Sequence, residues 1–123
     1  MAWQIAHGDT PDNIRNHPAL KGLNIPRTGR LGRIGVLVTK TLVIAGEGGF
    51  VTTPNGRGAM LRAYDKATGQ DVGAVSMPAP QTGSLMTYLL NGKQYIVVAI
   101  SGQGYSGELI AFRLPTSEGT SRN

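Results

Sequence analysis

An all-β fold of antiparallel, four-stranded blades of a β-propeller is what the sequence predicts, on three observations. Glycine and proline supply 18 and 7 of the 123 residues. Neither is tolerated well in helix interiors, so long helices are not expected. Between Ile34 and Leu114, short β-branched and aliphatic runs alternate with turn signals. Finally, the segments ending Ala63-Tyr64 and Ala111-Phe112 resemble each other at an offset of roughly 48 residues, and four strands in about 45–50 residues is the size of one propeller blade. A single meandering antiparallel sheet or a small sandwich, with coincidental similarity, is the competing reading of the same periodicity.

Taken in order, Ala2 to Ala6 has strand character. His7 to Arg33 is long, polar and turn-rich. Within it Pro11 is placed to open a short helix over Asp12 to Asn16, with Thr10 as N-cap. Loops of this length are functional or wrapped on a scaffold more often than idle. Ile34 to Val38 and Thr41 to Ala45 read as a hairpin turning at Lys40. Gly46 to Arg57 is a glycine-rich loop, Ala59 to Tyr64 a third strand, Asp65 to Gly69 a turn, and Val72 to Met77 a fourth strand. After the connection Pro78 to Gly83 the pattern recurs. Leu85 to Leu90 and Gln94 to Ile100 flank Asn91-Gly92, a strong hairpin signal. Ser101 to Gly107 is a second glycine-rich loop, and Glu108 to Leu114 a strand. The expected organisation is an outer strand of a preceding blade (1–6), a long loop (7–33), a complete blade (34–77), most of the next and last blade (78–115) and a disordered tail (116–123).

Twelve Lys and Arg against seven Asp and Glu give a formal charge of +5. The basic residues are dispersed apart from Arg27, Arg30 and Arg33, and aromatics are 6%, which argues against a nucleic-acid surface. With no cysteine, thiolate metal sites and a cysteine nucleophile are excluded. No apolar run reaches the roughly 20 residues of a membrane span, and the first residues lack the pattern of a signal peptide. His7 and His17 with Asp9 or Asp12 match no standard ligand spacing. Gly46-Glu47-Gly48-Gly49-Phe50 lacks the Lys-Ser/Thr ending of a phosphate loop. Glu108, at the start of a strand, reads as solvated or paired with a neighbouring charge. A blade cannot bury both of its faces alone, so the 123 residues are expected to be about one and a half to two blades of a longer ring.

Four blocks carry a resemblance: His7-Gly8-Asp9-Thr10-Pro11-Asp12; Asn24 to Arg30; Leu61 to Gly69; and Met86-Thr87-Tyr88 through Gly92-Lys93-Gln94-Tyr95. From Trp3 to Pro115 the chain resembles the C-terminal part of the pyrroloquinoline-quinone (PQQ)-dependent dehydrogenases of the membrane-bound glucose/quinate/shikimate type. The resemblance implies an eight-bladed propeller in the periplasm. It implies PQQ with Ca²⁺ or Mg²⁺ as cofactors, oxidation of a sugar or alcohol hydroxyl, and ubiquinone or a cytochrome as electron acceptor. It also implies a tryptophan-docking motif, represented by Ala63, Asp65 and Gly69 with Gly73 where tryptophan is expected, and by Trp3 as the last residue of the preceding copy. On that reading the chain begins inside an outer strand.

The family's catalytic base and metal ligands find no match in this chain, so it is expected to be inactive in isolation, with the remaining blades as its partners. The residues the resemblance places toward the cofactor are Arg33, Ile34 and Gly35 before one inner strand, Met86 at the start of the next, and Gln103 in the second glycine-rich loop. Some relatives carry His at the position of Gln103. A guanidinium at Arg33 suits the carboxylates of the quinone. A non-enzymatic propeller module for interaction or assembly is the alternative, and a small protein that pairs its open edges by oligomerising is a weaker one.

Overall fold

The computed structural model describes residues 1–113, and they form two antiparallel sheets, as the all-β class predicts, with one short α-helix and one 3₁₀ turn. Strands β1 (Leu37–Val38), β2 (Leu42–Gly46), β4 (Gly56–Asp65) and β5 (Asp71–Met77) lie side by side in that order, and the short β3 (Val51–Thr53) pairs with the start of β4. Strands β6 (Gln81–Leu90), β7 (Lys93–Gly102) and β8 (Tyr105–Arg113) form the second sheet as a meander.

The turns follow local chemistry. Asn91 and Gly92 sit at φ 53° and 76°, the left-handed pair of a two-residue hairpin between Leu90 and Lys93. Asp65 Oδ1 accepts from the amides of Ala67 (2.8 Å) and Thr68 (3.1 Å), and the Gly69 amide donates to the Asp65 carbonyl at 2.8 Å. Gly69, at φ 78°, closes that turn.

The core lies between the sheets. Ile44, Ala59, Leu61 and Met77 from the first sheet meet Leu85, Val98 and Ile100 from the second, with Ala79 of the connection between them. The opposite face of the first sheet is covered by residues 1–33. Trp3 donates its indole N–H to the Lys66 carbonyl at 2.8 Å, and its ring lies where a side chain on Gly69 would be. His7 Nε2 stands 3.0 Å from the Gly46 carbonyl, and Nδ1 2.7 Å from the Tyr64 hydroxyl. The carbonyl can only accept, so in the neutral ring Nε2 carries the proton and Tyr64 donates to Nδ1.

Several expectations are corrected. Ala2 to Ala6 forms no strand, because no backbone ladder reaches it; the segment is fastened through side chains instead. The helix, α1 (Asp12–Arg15), is capped by Pro11 without a side-chain bond, while Thr10 Oγ1 accepts from the Thr28 amide at 3.0 Å. The loop from Gly46 to Arg57 contains β3, and β6 starts at Gln81 rather than Leu85 with its register shifted between those residues. Only two residues of the first predicted strand pair, Leu37 and Val38. The tail assigned to 116–123 lies outside the described residues.

Candidate functional site

Strand direction brings one set of loops to one end of both sheets. The run into β1, the exit of β2, the exit of β5, the start of β6 and the exit of β7 all lie there, while the turns at Lys40, Asp65–Gly69 and Asn91–Gly92 lie at the other. Gln81, 2% exposed, fastens this end. Its Oε1 accepts from the Gly46 amide at 2.7 Å, and its Nε2 donates to the carbonyls of Gly35 (2.8 Å) and Gly83. One amide thus ties β2, the run into β1 and the start of the second sheet. The Gly35 amide also donates to the Gly83 carbonyl at 3.3 Å.

Gly35 has no room for a side chain: a Cβ there would stand 2.4 Å from Ser84 Oγ. The missing side chain lets the two sheets approach at this end. Arg33 is exposed and Ile34 half-buried just before it. Gln103 is exposed at the tip of the β7–β8 turn, between the paired Gly102 and Tyr105. Met86 stands apart from these. It pairs with Val97 on the face of β6 opposite to the core-facing Leu85, and is 54% exposed. Arg33, Ile34, Gly35 and Gln103 therefore share an end of the molecule, and Met86 belongs to the outer face of the second sheet.

Beside this end lies a charge network that the sequence reading did not single out. Glu47 is 1% exposed. Its carboxylate accepts from the amides of Met60 (3.1 Å) and Asp9 (3.4 Å) and from Arg62 Nε (3.3 Å). Arg62 also meets Asp71 at 3.3 Å and Asp9 at 3.6 Å, and Arg27 meets Asp71 at 3.6 Å. Burial opposes the Arg62 charge, but Glu47 and Asp9 outweigh it and hold the guanidinium above its ordinary value. Burial likewise pushes the Tyr64 phenol up, against the pull of Arg62. The available signal was an arginine inside an otherwise apolar strand, Leu61-Arg62-Ala63, and an acid enclosed by glycines at 46 and 48. Among the described residues no three His, Asp or Glu side chains converge as a metal-ligand set.

Comparison with known proteins adds the family. The model described as "PQQ: Glucose/ethanol/alcohol dehydrogenase, beta-propeller domain" matches residues 1–96. A probable quinate dehydrogenase (quinone) of Xanthomonas campestris pv. juglandis is 30% identical over 94% of the chain and 14% of its own length. Quinoprotein glucose dehydrogenase A of Acinetobacter calcoaceticus is 27% identical over 96% of the chain and 14% of its own length. Quinoprotein glucose dehydrogenase of Escherichia coli (strain K12) is 37% identical over 45% of the chain and 8% of its own length. The chain thus spans about a seventh of the length of the first two relatives. No solved structure matches it significantly.

Proposed function

Because the chain belongs to the PQQ glucose/ethanol/alcohol dehydrogenase β-propeller family, we propose that it serves as a wall segment of a periplasmic quinoprotein dehydrogenase that oxidises a sugar, cyclic polyol or alcohol hydroxyl. One observation carries this reading beyond the family match: two sheets packed face to face, with the runs into their innermost strands locked together at one end by Gln81. Adjacent blades of a ring whose strand ends surround a cofactor have this arrangement.

PQQ, when bound, supplies the two-electron acceptor for the substrate hydride. The residues at the shared end fit such a group. Arg33 offers an exposed guanidinium for a carboxylate of the quinone. Ile34 and Gly35 offer a thin wall, held by the Gln81 side chain and the Gly83 carbonyl. Gln103 offers an amide at the neighbouring turn. Met86 is proposed to act from the second sheet's outer face, toward whatever sheet covers it. We place the general base and the Ca²⁺ or Mg²⁺ ligands in other blades, and give the electrons to ubiquinone or a cytochrome.

The test uses the longer protein that carries this segment, reconstituted with PQQ and Ca²⁺ or Mg²⁺ and assayed by dye-linked oxidation of a panel of sugars, polyols and alcohols. Arg33→Gln is expected to weaken PQQ binding about tenfold with unchanged circular dichroism. Unchanged PQQ affinity would remove Arg33 from the site. A protein that neither binds PQQ nor oxidises any member of the panel would overturn the reading.

A further inference from the structure

A cleft of about 530 Å³ opens beside α1 and the β3–β4 hairpin, lined by Arg15, Arg30 and Arg57 together with Asp9, Asp12 and Phe50. Its volume lies within the roughly 300–1,000 Å³ of small-molecule sites. These three arginines differ in one respect from Arg27 and Arg62, whose charges are met by Asp71, Glu47 and Asp9. Among the described residues, none of Arg15, Arg30 and Arg57 is paired with a carboxylate.

Neutral groups anchor them instead. Arg30 donates to the carbonyls of Asp9 (3.4 Å) and Phe50 (3.2 Å), and Arg15 to that of Thr10 (3.5 Å). Arg57 lies over the Phe50 ring, its guanidinium carbon 3.5 Å from the centroid. A carbonyl or a ring face orients a guanidinium without cancelling its charge, and a stacked guanidinium keeps its in-plane N–H donors free. The fold thus holds three guanidinium groups at a cleft without a direct carboxylate partner among the described residues.

We infer that this cleft binds a small hydroxylated carboxylic acid, its single carboxylate taken by Arg30 and Arg57 with Arg15 at the rim. Asp12, which has no cationic partner among the described residues, accepts from the ligand's hydroxyls. Asp9 and Asp12 together disfavour phosphates and other multiply charged anions by like-charge repulsion. The inference rests on the cleft itself and holds whether or not the dehydrogenase reading does.

The test is titration of the ¹⁵N-labelled chain with D-gluconate, with D-glucitol (the same carbon chain without the carboxylate), with acetate and with inorganic phosphate. Expected are saturable shifts confined to residues 9–15, 30 and 50–57, with Kd for gluconate below about 1 mM. The other three probes should bind at least about tenfold more weakly. Arg57→Gln should weaken gluconate binding about tenfold while the rest of the spectrum stays in place. Asp12→Asn should weaken gluconate more than acetate, and Lys40→Gln, at the far end of the sheets, should change nothing. Equal affinity for gluconate and glucitol, tighter binding of phosphate, or shifts outside the cleft would overturn the proposal. Should Arg57→Gln disturb the fold, the ranking of the four probes on the unaltered chain decides alone.

Discussion

Glu47 and Arg62 show what a buried charge demands at the scale of a residue. Glu47 has a fully covered side chain, and its oxygens are met by two amides and one guanidinium. Removing the guanidinium leaves that carboxylate without a counter-charge. Arg62→Met is therefore expected to lower stability by about 3 kcal/mol, within the range for breaking a buried pair. Adding Glu47→Gln should cost less than the two single changes summed, as read by urea denaturation of the four proteins. Gly69 makes a second case. Its φ of 78° and a Cβ position 2.6 Å from the Trp3 ring leave alanine neither a favourable backbone nor space. Gly69→Ala is expected to cost about 2 kcal/mol or more and to alter Trp3 fluorescence. Tyr64 carries a pH dependence. Its phenol is raised in the folded state, so the neutral form is the one the fold prefers. The stability this adds is complete below the unfolded value of about 10 and is lost as pH rises through the folded-state value. Tyr64→Phe should lose about 1 kcal/mol at neutral pH, with the His7 hydrogen bond, and show a shallower alkaline decline.

At the scale of elements, Gln81 is the joint between the sheets. Replacing it with Leu keeps the volume but deprives the Gly46 amide and the Gly35 carbonyl of their partners. Gln81→Leu should cost about 2 kcal/mol and speed amide exchange at Gly46, read by hydrogen exchange. This joint explains what the sequence could and could not reveal. Strands with alternating apolar residues and a local turn were legible, because Asn91-Gly92 and Asp65-Lys66-Ala67-Thr68-Gly69 set their own geometry. Ala2 to Ala6 had strand-like composition too and formed no strand, since a strand exists through a neighbour's ladder. Gln81 looked like part of a connection, because its role depends on three backbone groups distant in sequence. The Glu47–Arg62 network was illegible for the same reason. Its members come from the leading segment, the exit of β2, and strands β4 and β5, and only folding makes them adjacent. Arg33, Ile34, Gly35 and Gln103 reached one end through strand direction alone, whereas Met86 lies mid-strand because β6 begins four residues earlier than its apolar run suggested, and on the outer face because it alternates with the core-facing Leu85.

At the scale of the whole molecule, the repeat assigns a meaning to each face. Ala63 packs toward the second sheet, whereas Arg62 and Tyr64 face the covering segment. Carried along the roughly 48-residue offset, the Tyr64 face becomes the face of Phe112 and Ile110, which packs on the first sheet. The Ala63 face becomes that of Ala111 and Leu109, which meets nothing among the described residues. Leu61 is 6% exposed and its counterpart Leu109 is 74% exposed. Met86, Tyr88 and Leu90 extend the same open face, with Tyr88 stacked on Tyr95 at 5.1 Å. A head-to-tail stack continues by covering each such face with the next sheet, so Leu109 is expected to occupy a blade seam in a larger ring. Because the chain has no cysteine, thiol labelling of Leu109→Cys reads this directly. In the 123-residue chain the thiol should react at the rate of an exposed cysteine, and in the longer protein it should be protected as strongly as Leu61→Cys. Equally fast labelling of Leu109→Cys in both would contradict the account.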